Sequence, residues 1–151
     1  MKIIKGDLIK LALNGRFDVI IHGCNCFCTM GAGIAKAIKE EFFEAYQADK
    51  KTIAKSQSKL GTYSYANVIR NKNKITIVNA YTQYDYKGIG VLIDYDAITK
   101  VFKKIKIDFP QKKIAYPKIG AGLAKGDWNI ISKIIIKELK GEDHTLIEYH
   151  A

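Results

Sequence analysis

The most constraining feature of this sequence is its alternation of short, continuously apolar segments with longer amphipathic ones. Residues 18–24 read Asp-Val-Ile-Ile-His-Gly-Cys, which is typical of a strand buried on both faces of a parallel sheet. Residues 34–43 then carry their apolar side chains along one helical stripe. Further strands are predicted at 2–5, 61–69, 74–81, 113–116 and 144–149, and further helices at 8–13, 44–54, 94–105 and 128–139. This order predicts an α/β fold with three α/β/α layers and a mixed, mostly parallel central sheet of about six strands, as a single domain over residues 1–151.

The charge balance favours anionic ligands without identifying them. Lysine and arginine together number 25 against 15 aspartates and glutamates, a net charge of +10. Only Arg16 and Arg70 are arginines, whereas specific base readout and bidentate phosphate binding favour arginine over lysine. A nucleic-acid-binding domain is therefore an alternative function, and not the main expectation.

Three cysteines lie within five positions, at Cys24, Cys26 and Cys28. They have no further cysteine to pair with, which favours a reducing compartment over a disulfide framework. Together with His22 they also suggest a metal site. Structural zinc, however, usually takes cysteine pairs from two separate segments, so we expect no metal and no cofactor.

Two loops rich in glycine and alanine follow predicted strands. Gly31-Ala32-Gly33 leads directly into a predicted helix, and Gly120-Ala121-Gly122 follows the strand that ends at residue 116. Small residues let backbone amides approach a phosphate closely, and the N-terminus of a helix favours negative charge. Neither loop has the spacing of a nucleotide triphosphatase or dinucleotide-binding motif. Two equivalent loops in one α/β domain predict a diphosphate held between them, although a single such loop is often only a tight turn.

Four segments, in order along the chain, carry a resemblance to a known family. They are Gly6-Asp7-Leu8, residues 18–25, Met30-Gly-Ala-Gly-Ile-Ala35 and the stretch from Pro117 to Trp128. The chain resembles the macrodomain family over essentially its whole length. The resemblance is closest to the compact branch that includes phage macrodomains, the yeast ADP-ribose 1″-phosphate phosphatase and the terminal ADP-ribose protein glycohydrolase.

The resemblance implies a ligand and a set of contacts. The family binds ADP-ribose, so Asp7 is expected to accept a hydrogen bond from the adenine amino group, and Asn25 to contact the distal ribose. Asp7 could instead cap a turn, and Tyr149, expected to pack on adenine, could instead belong to the core. The expected ligand-binding residues are Asp7, Leu8, His22, Gly23, Asn25, Met30, Gly31, Ala32, Gly33, Ile34, Ala35, Thr82, Gln83, Ile119, Gly120, Ala121, Gly122, Leu123 and Tyr149.

Catalysis follows less directly from the resemblance. The lysine and aspartate that the glycohydrolase uses fall at about Leu92 and Ala124 here, so a covalent lysine mechanism is not expected. An ordered water could instead remove a 1″-phosphate or an ester-linked group. Asn25 would orient the ribose, and Asp127 or His22 would act as general base. The alternative for Asp127 is a helix N-cap, and for His22 a hydrogen-bonded core residue.

These observations predict a hydrolase acting on ADP-ribose 1″-phosphate or an ADP-ribosyl ester. The alternatives are a non-catalytic ADP-ribose-binding module and, less favoured, a basic nucleic-acid-binding domain. An ADP-ribosylated protein is a further candidate partner.

The sequence has neither a signal peptide nor an apolar run of the ~20 residues that span a membrane, so we expect a cytoplasmic monomer. The tyrosine-rich segment 81–95 is expected to act as a lid, or else to be a packed loop.

Overall fold

A six-stranded sheet organises residues 1–150, which are the residues that the computed structural model describes. Its strands lie in the order β1-β6-β5-β2-β4-β3, and every neighbouring pair is parallel except β3 with β4. The strands are β1 (Lys2–Gly6), β2 (Val19–Cys24), β3 (Tyr63–Arg70), β4 (Asn73–Tyr81), β5 (Lys113–Tyr116) and β6 (Asp143–Tyr149). The prediction of a mixed, mostly parallel sheet of about six strands is confirmed.

Helices cover both faces of this sheet. They are α1 (Leu8–Leu13), α2 (Gly33–Glu41), α3 (Phe43–Lys50), α4 (Tyr95–Asp108) and α5 (Trp128–Glu138), with a 3₁₀ turn at Gln57–Lys59. Alternate residues of β2 divide the core: Ile20 packs with α1, α2 and α3, whereas Val19 and Ile21 pack with α4 and α5. This alternation is the period of two that a central strand requires when both of its faces are buried.

Several helix boundaries differ from those predicted. Helix α3 ends at Lys50 rather than near residue 54, and α4 continues to Asp108 rather than stopping at residue 105. The hairpin between β3 and β4 turns on two residues, Asn71 and Lys72, both with positive φ. Such a two-residue turn matches the twist of the strands, which is why the strands extend closer to the turn than the pattern indicated.

No helix within residues 1–150 is long and apolar enough to cross a membrane.

Candidate functional site

The main cleft lies where parallel strands β2 and β5 end, beside the end of β4. It has a volume of about 580 Å³. Ligands of open α/β sheets bind at this edge, because the loops that leave neighbouring strands face each other there. The cleft is lined by Gly23, Cys24, Asn25, Thr29, Met30, Gly31, Ala32, Gly33, Ile34, Ala35, Asp49, Gln83, Tyr86, Pro117, Lys118, Ile119, Gly120, Gly122, Leu123 and Ala124.

The first loop, residues 25–32, connects β2 to α2 and forms one wall of the cleft. Its conformation is held by Asn25, whose Oδ1 accepts from the Phe27 amide at 2.8 Å and whose Nδ2 donates to Thr29 Oγ1 at 2.8 Å. Helix α2 begins at Gly33, and its N-cap residue Ala32 supplies no side-chain acceptor to the first turn. The amides at the start of this helix therefore remain available to an anion in the cleft.

The second loop, residues 117–126, forms the opposite wall. Gly120 has φ +74°, and a Cβ there would lie 2.5 Å from Ile93 Cδ1. The Ile119 amide donates to the Pro117 carbonyl at 2.7 Å, and the Ala121 amide donates to the Lys118 carbonyl at 3.2 Å. The loop thus uses these two amides to hold its own shape. Ala121, although predicted as a ligand contact, is not among the residues that line the cleft.

The predicted adenine-contacting residues form a separate group at the ends of β1 and β6. Gly6 and Tyr149 are register partners, so Tyr149 lies beside the start of the turn that carries Asp7 and the buried Leu8. Asp7 caps α1, with its Oδ1 accepting from the Lys10 amide at 3.1 Å. The alternative of a core position for Tyr149 is wrong, since 77% of its surface is exposed. None of these residues lines the cleft itself.

His22 lies in the core and not in the cleft. It is fully buried, and its Nε2 donates to Oδ1 of Asn79 at 2.6 Å across the paired strands β2 and β4. Burial lowers the pKa of this imidazole to about 4, against a smaller opposing effect of the Asn79 hydrogen bond. This placement corrects the expectation that His22 reaches the ligand and matches the alternative of a hydrogen-bonded core histidine.

Asp127 also lies outside the cleft lining. It is the N-cap of α5, and its Oδ1 accepts from the Asn129 amide at 2.9 Å. Its own amide donates to the Tyr95 hydroxyl at 3.0 Å. The geometry matches the helix-cap alternative and corrects the expectation of a general base pointing into the site.

Thr82 and Gln83 have different surroundings although they are adjacent. Thr82 is fully buried, and its Oγ1 would lie only 2.8 Å from a Cβ added to Gly23, so it packs behind the cleft wall. Gln83 lines the cleft, and its Nε2 donates to the carbonyl of Asp85 at 2.8 Å. Of the two predicted contacts, only Gln83 lines the cleft.

The tyrosine-rich segment contributes to the cleft through Tyr86. This ring packs edge-on against Phe27 of the first loop, with centroids 5.8 Å apart, and it stays partly exposed. Tyr81, by contrast, is buried in the core. The segment therefore contains a packed part at Tyr81 and an exposed part at the cleft rim, and its action as a lid stays a prediction.

Two lining residues, Thr29 and Asp49, carried no sequence signal that separated them from ordinary structure. The cleft is also lined by residues of segments that the sequence singled out without predicting them as ligand contacts: Cys24, Tyr86, Pro117, Lys118 and Ala124. Asp49 is the most consequential, because a carboxyl group that is 99% buried in the wall of a cleft needs a chemical explanation. It lies on α3, which the sequence predicted only as a helix over residues 44–54.

Two of the three clustered cysteines, Cys24 and Cys26, stay protonated at neutral pH. Burial raises the pKa of Cys26 to about 11 and raises the pKa of Cys24 well above its ordinary value. Protonated thiols are poor nucleophiles and poor metal ligands. Within residues 1–150, no group of three or more His, Cys, Asp or Glu side chains is arranged to hold a metal ion.

Known proteins resemble this chain over most of its length. A model of the Macro domain family matches residues 21–135. An uncharacterised 17.5 kDa protein from the tk-vs intergenic region of enterobacteria phage T4 is 36% identical and matches 89% of this chain and 87% of that protein. A protein of unknown function from Bacteroides thetaiotaomicron has a similar structure, with a TM-score of 0.78, 27% identity and 98% of each chain covered. Thermosipho africanus DarTG, solved in complex with ADP-ribose, superposes with a TM-score of 0.72 and 17% identity over 99% of this chain and 42% of that one.

Proposed function

This chain belongs to the macrodomain family, and we propose that its cleft binds ADP-ribose. The observation that carries the proposal is the pair of facing loops, 25–32 and 117–126, at the carboxyl ends of adjacent parallel strands. Both loops present small residues to the cleft, and the first also presents the uncapped start of α2. The complex of Thermosipho africanus DarTG with ADP-ribose, which shares the fold, supports this ligand.

In this proposal the diphosphate lies between the two loops. Its charges are met by the amides of residues 31–35 and by Gly120, Gly122 and Leu123 of the second loop, which line the cleft. The net charge of +10 favours the approach of such an anion. Asn25 lies at the inner end of the first loop and contacts the distal ribose.

The adenine base extends toward the ends of β1 and β6. The exposed ring of Tyr149 packs on the base, and the Asp7 carboxylate, beside the buried Leu8, accepts from its amino group. Asp7 has a second oxygen besides the one that caps α1, so the two roles are compatible.

We propose further that the chain hydrolyses a derivative of ADP-ribose, either ADP-ribose 1″-phosphate or an ADP-ribosyl ester. Water is consumed, the bond between the distal ribose and its substituent breaks, and ADP-ribose leaves with phosphate or a carboxylic acid. Asn25 holds the ribose while the loops hold the diphosphate, so positioning supplies the rate enhancement. The proposal assigns no proton transfer to His22 or Asp127, since neither lines the cleft.

The first test is a calorimetric titration of ADP-ribose into the purified protein at physiological salt, with AMP as the control. Binding in the micromolar range or tighter, with AMP much weaker, supports the site. Absence of heat at two temperatures contradicts it. Phosphate release from ADP-ribose 1″-phosphate then separates the hydrolase from a non-catalytic ADP-ribose-binding module, which binds without turnover.

Location, assembly and partners are also proposals. Three free, buried cysteines are compatible with a reducing compartment, and we propose a cytoplasmic monomer in which residues 1–151 form a single macrodomain. Because Leu123 and Tyr86 line the cleft and are exposed, an ADP-ribosylated protein is a candidate partner. A nucleic-acid-binding domain would instead show a steep salt dependence spread over many lysines.

A further inference from the structure

Helix α3 places an unpaired carboxylate oxygen in the wall of the cleft. Asp49 is only 1% exposed, yet it lines the cleft together with Asn25 and Thr29 of the first loop. Its Oδ2 has no hydrogen-bond partner among the residues that the structure describes. A buried polar atom without a partner costs free energy unless something else satisfies it, so this oxygen points to a ligand.

The rest of the Asp49 residue is held firmly in position. Its Oδ1 accepts from the Tyr81 hydroxyl at 2.7 Å, and that hydroxyl lies 2.7 Å from Ser64 Oγ. The Asp49 carbonyl accepts from Thr52 Oγ1 at 2.6 Å and from the Cys28 thiol at 3.1 Å. Because the backbone and Oδ1 are held by these hydrogen bonds, the position of Oδ2 is fixed as well.

The nearest buried cation stabilises this carboxylate without occupying the free oxygen. Lys59 is 93% buried and donates to the Cys26 carbonyl at 3.3 Å and to Cys28 Sγ at 3.4 Å. Its Nζ also lies 4.4 Å from the centre of the Tyr81 ring. In residues 1–150 no ion pair within 4.0 Å joins Lys59 to Asp49. Burial raises the pKa of the Asp49 carboxyl, and the lysine opposes this effect through space while Oδ2 has no hydrogen-bond donor in the part of the chain that the structure describes.

We infer that Oδ2 of Asp49 accepts a hydrogen bond from a hydroxyl of the distal ribose and makes Asp49 a specificity-determining residue. The inference rests on the proposed function. A carboxylate accepts from a hydroxyl but repels a phosphate, so the amide-rich loops and Asp49 divide the cleft by charge. This division fixes the direction of the ligand, with the diphosphate over the loops and the hydroxyl-bearing sugar over α3. It also predicts discrimination against ligands that end at the diphosphate.

The test measures the affinities of ADP-ribose and ADP for the wild-type protein and for Asp49→Asn. Asparagine keeps the size of the side chain and an acceptor for Tyr81, but replaces the charged acceptor by an amide. We expect roughly a tenfold loss of ADP-ribose affinity, because bonds to charged groups are stronger than neutral ones. The ADP affinity should be unchanged or higher, because the variant no longer repels the terminal phosphate. The matched control is Asp143→Asn, which makes the same change of charge at the opposite end of β6 and should alter neither affinity.

The outcomes separate this inference from the proposed function. If wild-type protein binds no ADP-ribose, the proposed function fails and the inference fails with it. If wild-type protein binds ADP-ribose and Asp49→Asn binds both ligands as wild type does, or loses both equally, only the inference is overturned. If Asp49→Asn does not fold, the wild-type protein is titrated with ADP-ribose analogues that lack single distal-ribose hydroxyls. One analogue losing about tenfold in affinity for both wild type and Asn25→Ala supports the inference, because that hydroxyl then has an acceptor other than Asn25. Uniform affinity, or a loss that disappears in Asn25→Ala, overturns it.

Discussion

The imidazole Nε2 of His22 donates to Oδ1 of Asn79 at 2.6 Å, and the two residues are register partners on adjacent parallel strands. Asn79 in turn donates to the Ala45 carbonyl at 2.9 Å and to Ser64 Oγ at 3.0 Å. The pair therefore joins the centre of the sheet to α3 and β3. His22, which the sequence suggested as a candidate general base, is therefore a buried residue that connects β2 to β4, and its imidazole is neutral at pH 7.

This burial makes the free energy of unfolding sensitive to pH. His22 has its folded pKa lowered from 6.5 to about 4, so between these values the unfolded chain binds a proton that the folded chain does not. Stability should therefore fall as the pH decreases from about 6.5 toward 4. Urea unfolding at pH 7, 6 and 5 should show that the unfolding free energy falls less steeply with decreasing pH in His22→Gln than in wild type. An equal slope in His22→Gln and wild type would contradict the assignment.

Two glycines of the second loop should respond differently to substitution by alanine: one variant should lose stability and the other should not. Gly120→Ala combines a positive φ with a Cβ 2.5 Å from Ile93, and we expect a loss of about 1–3 kcal/mol in unfolding free energy. Because the loop shape is disturbed, ADP-ribose affinity should fall as well. A Cβ added at Gly122 meets nothing within 4 Å, so the unfolding free energy of Gly122→Ala should lie within about 0.5 kcal/mol of wild type. Thermal and urea unfolding measure both, and equal stabilities would refute the packing argument.

Asp7 can be tested for two separate roles. Asp7→Asn keeps an oxygen that caps α1 but removes the carboxylate proposed to accept from the adenine amino group. We expect unchanged stability and about a tenfold lower affinity for ADP-ribose. Asp7→Ala should lose that affinity and, in addition, about 1 kcal/mol of stability. If Asp7→Asn binds ADP-ribose as tightly as wild type, Asp7 is a helix cap only.

Asp127 should prove dispensable for turnover. Asp127→Asn retains the cap of α5, and the side chain does not line the cleft, so the rate of phosphate release from ADP-ribose 1″-phosphate should stay within about twofold of wild type. In Asp127→Ala the free energy of unfolding should fall by about 1 kcal/mol, while the rate of phosphate release per folded molecule should stay similar to that of wild type. Abolished turnover in a folded Asp127→Asn protein would restore the general-base hypothesis.

Much of the fold follows from local patterns in the chain. Three local features each identify an element within a few residues of its true position: the buried run at β2, the apolar stripe of α2 and the cap Asp127. The two glycine-bearing loops are also local features, and the parallel order of the strands brings them to one edge. Most of the residues predicted in these loops do line the cleft.

The sequence alone determined the order of the elements, the fold class and the two loops, because backbone preference and hydrophobic period are properties of neighbouring residues. Only the tertiary structure decided which polar side chains line the cleft. Asp49 meets Tyr81 across 32 positions and Cys28 across 21, and His22 meets Asn79 across 57. Burial of a carboxyl or an imidazole depends on such distant contacts, which no local pattern records. For that reason His22 and Asp127 resembled site residues in the sequence, while Asp49 did not.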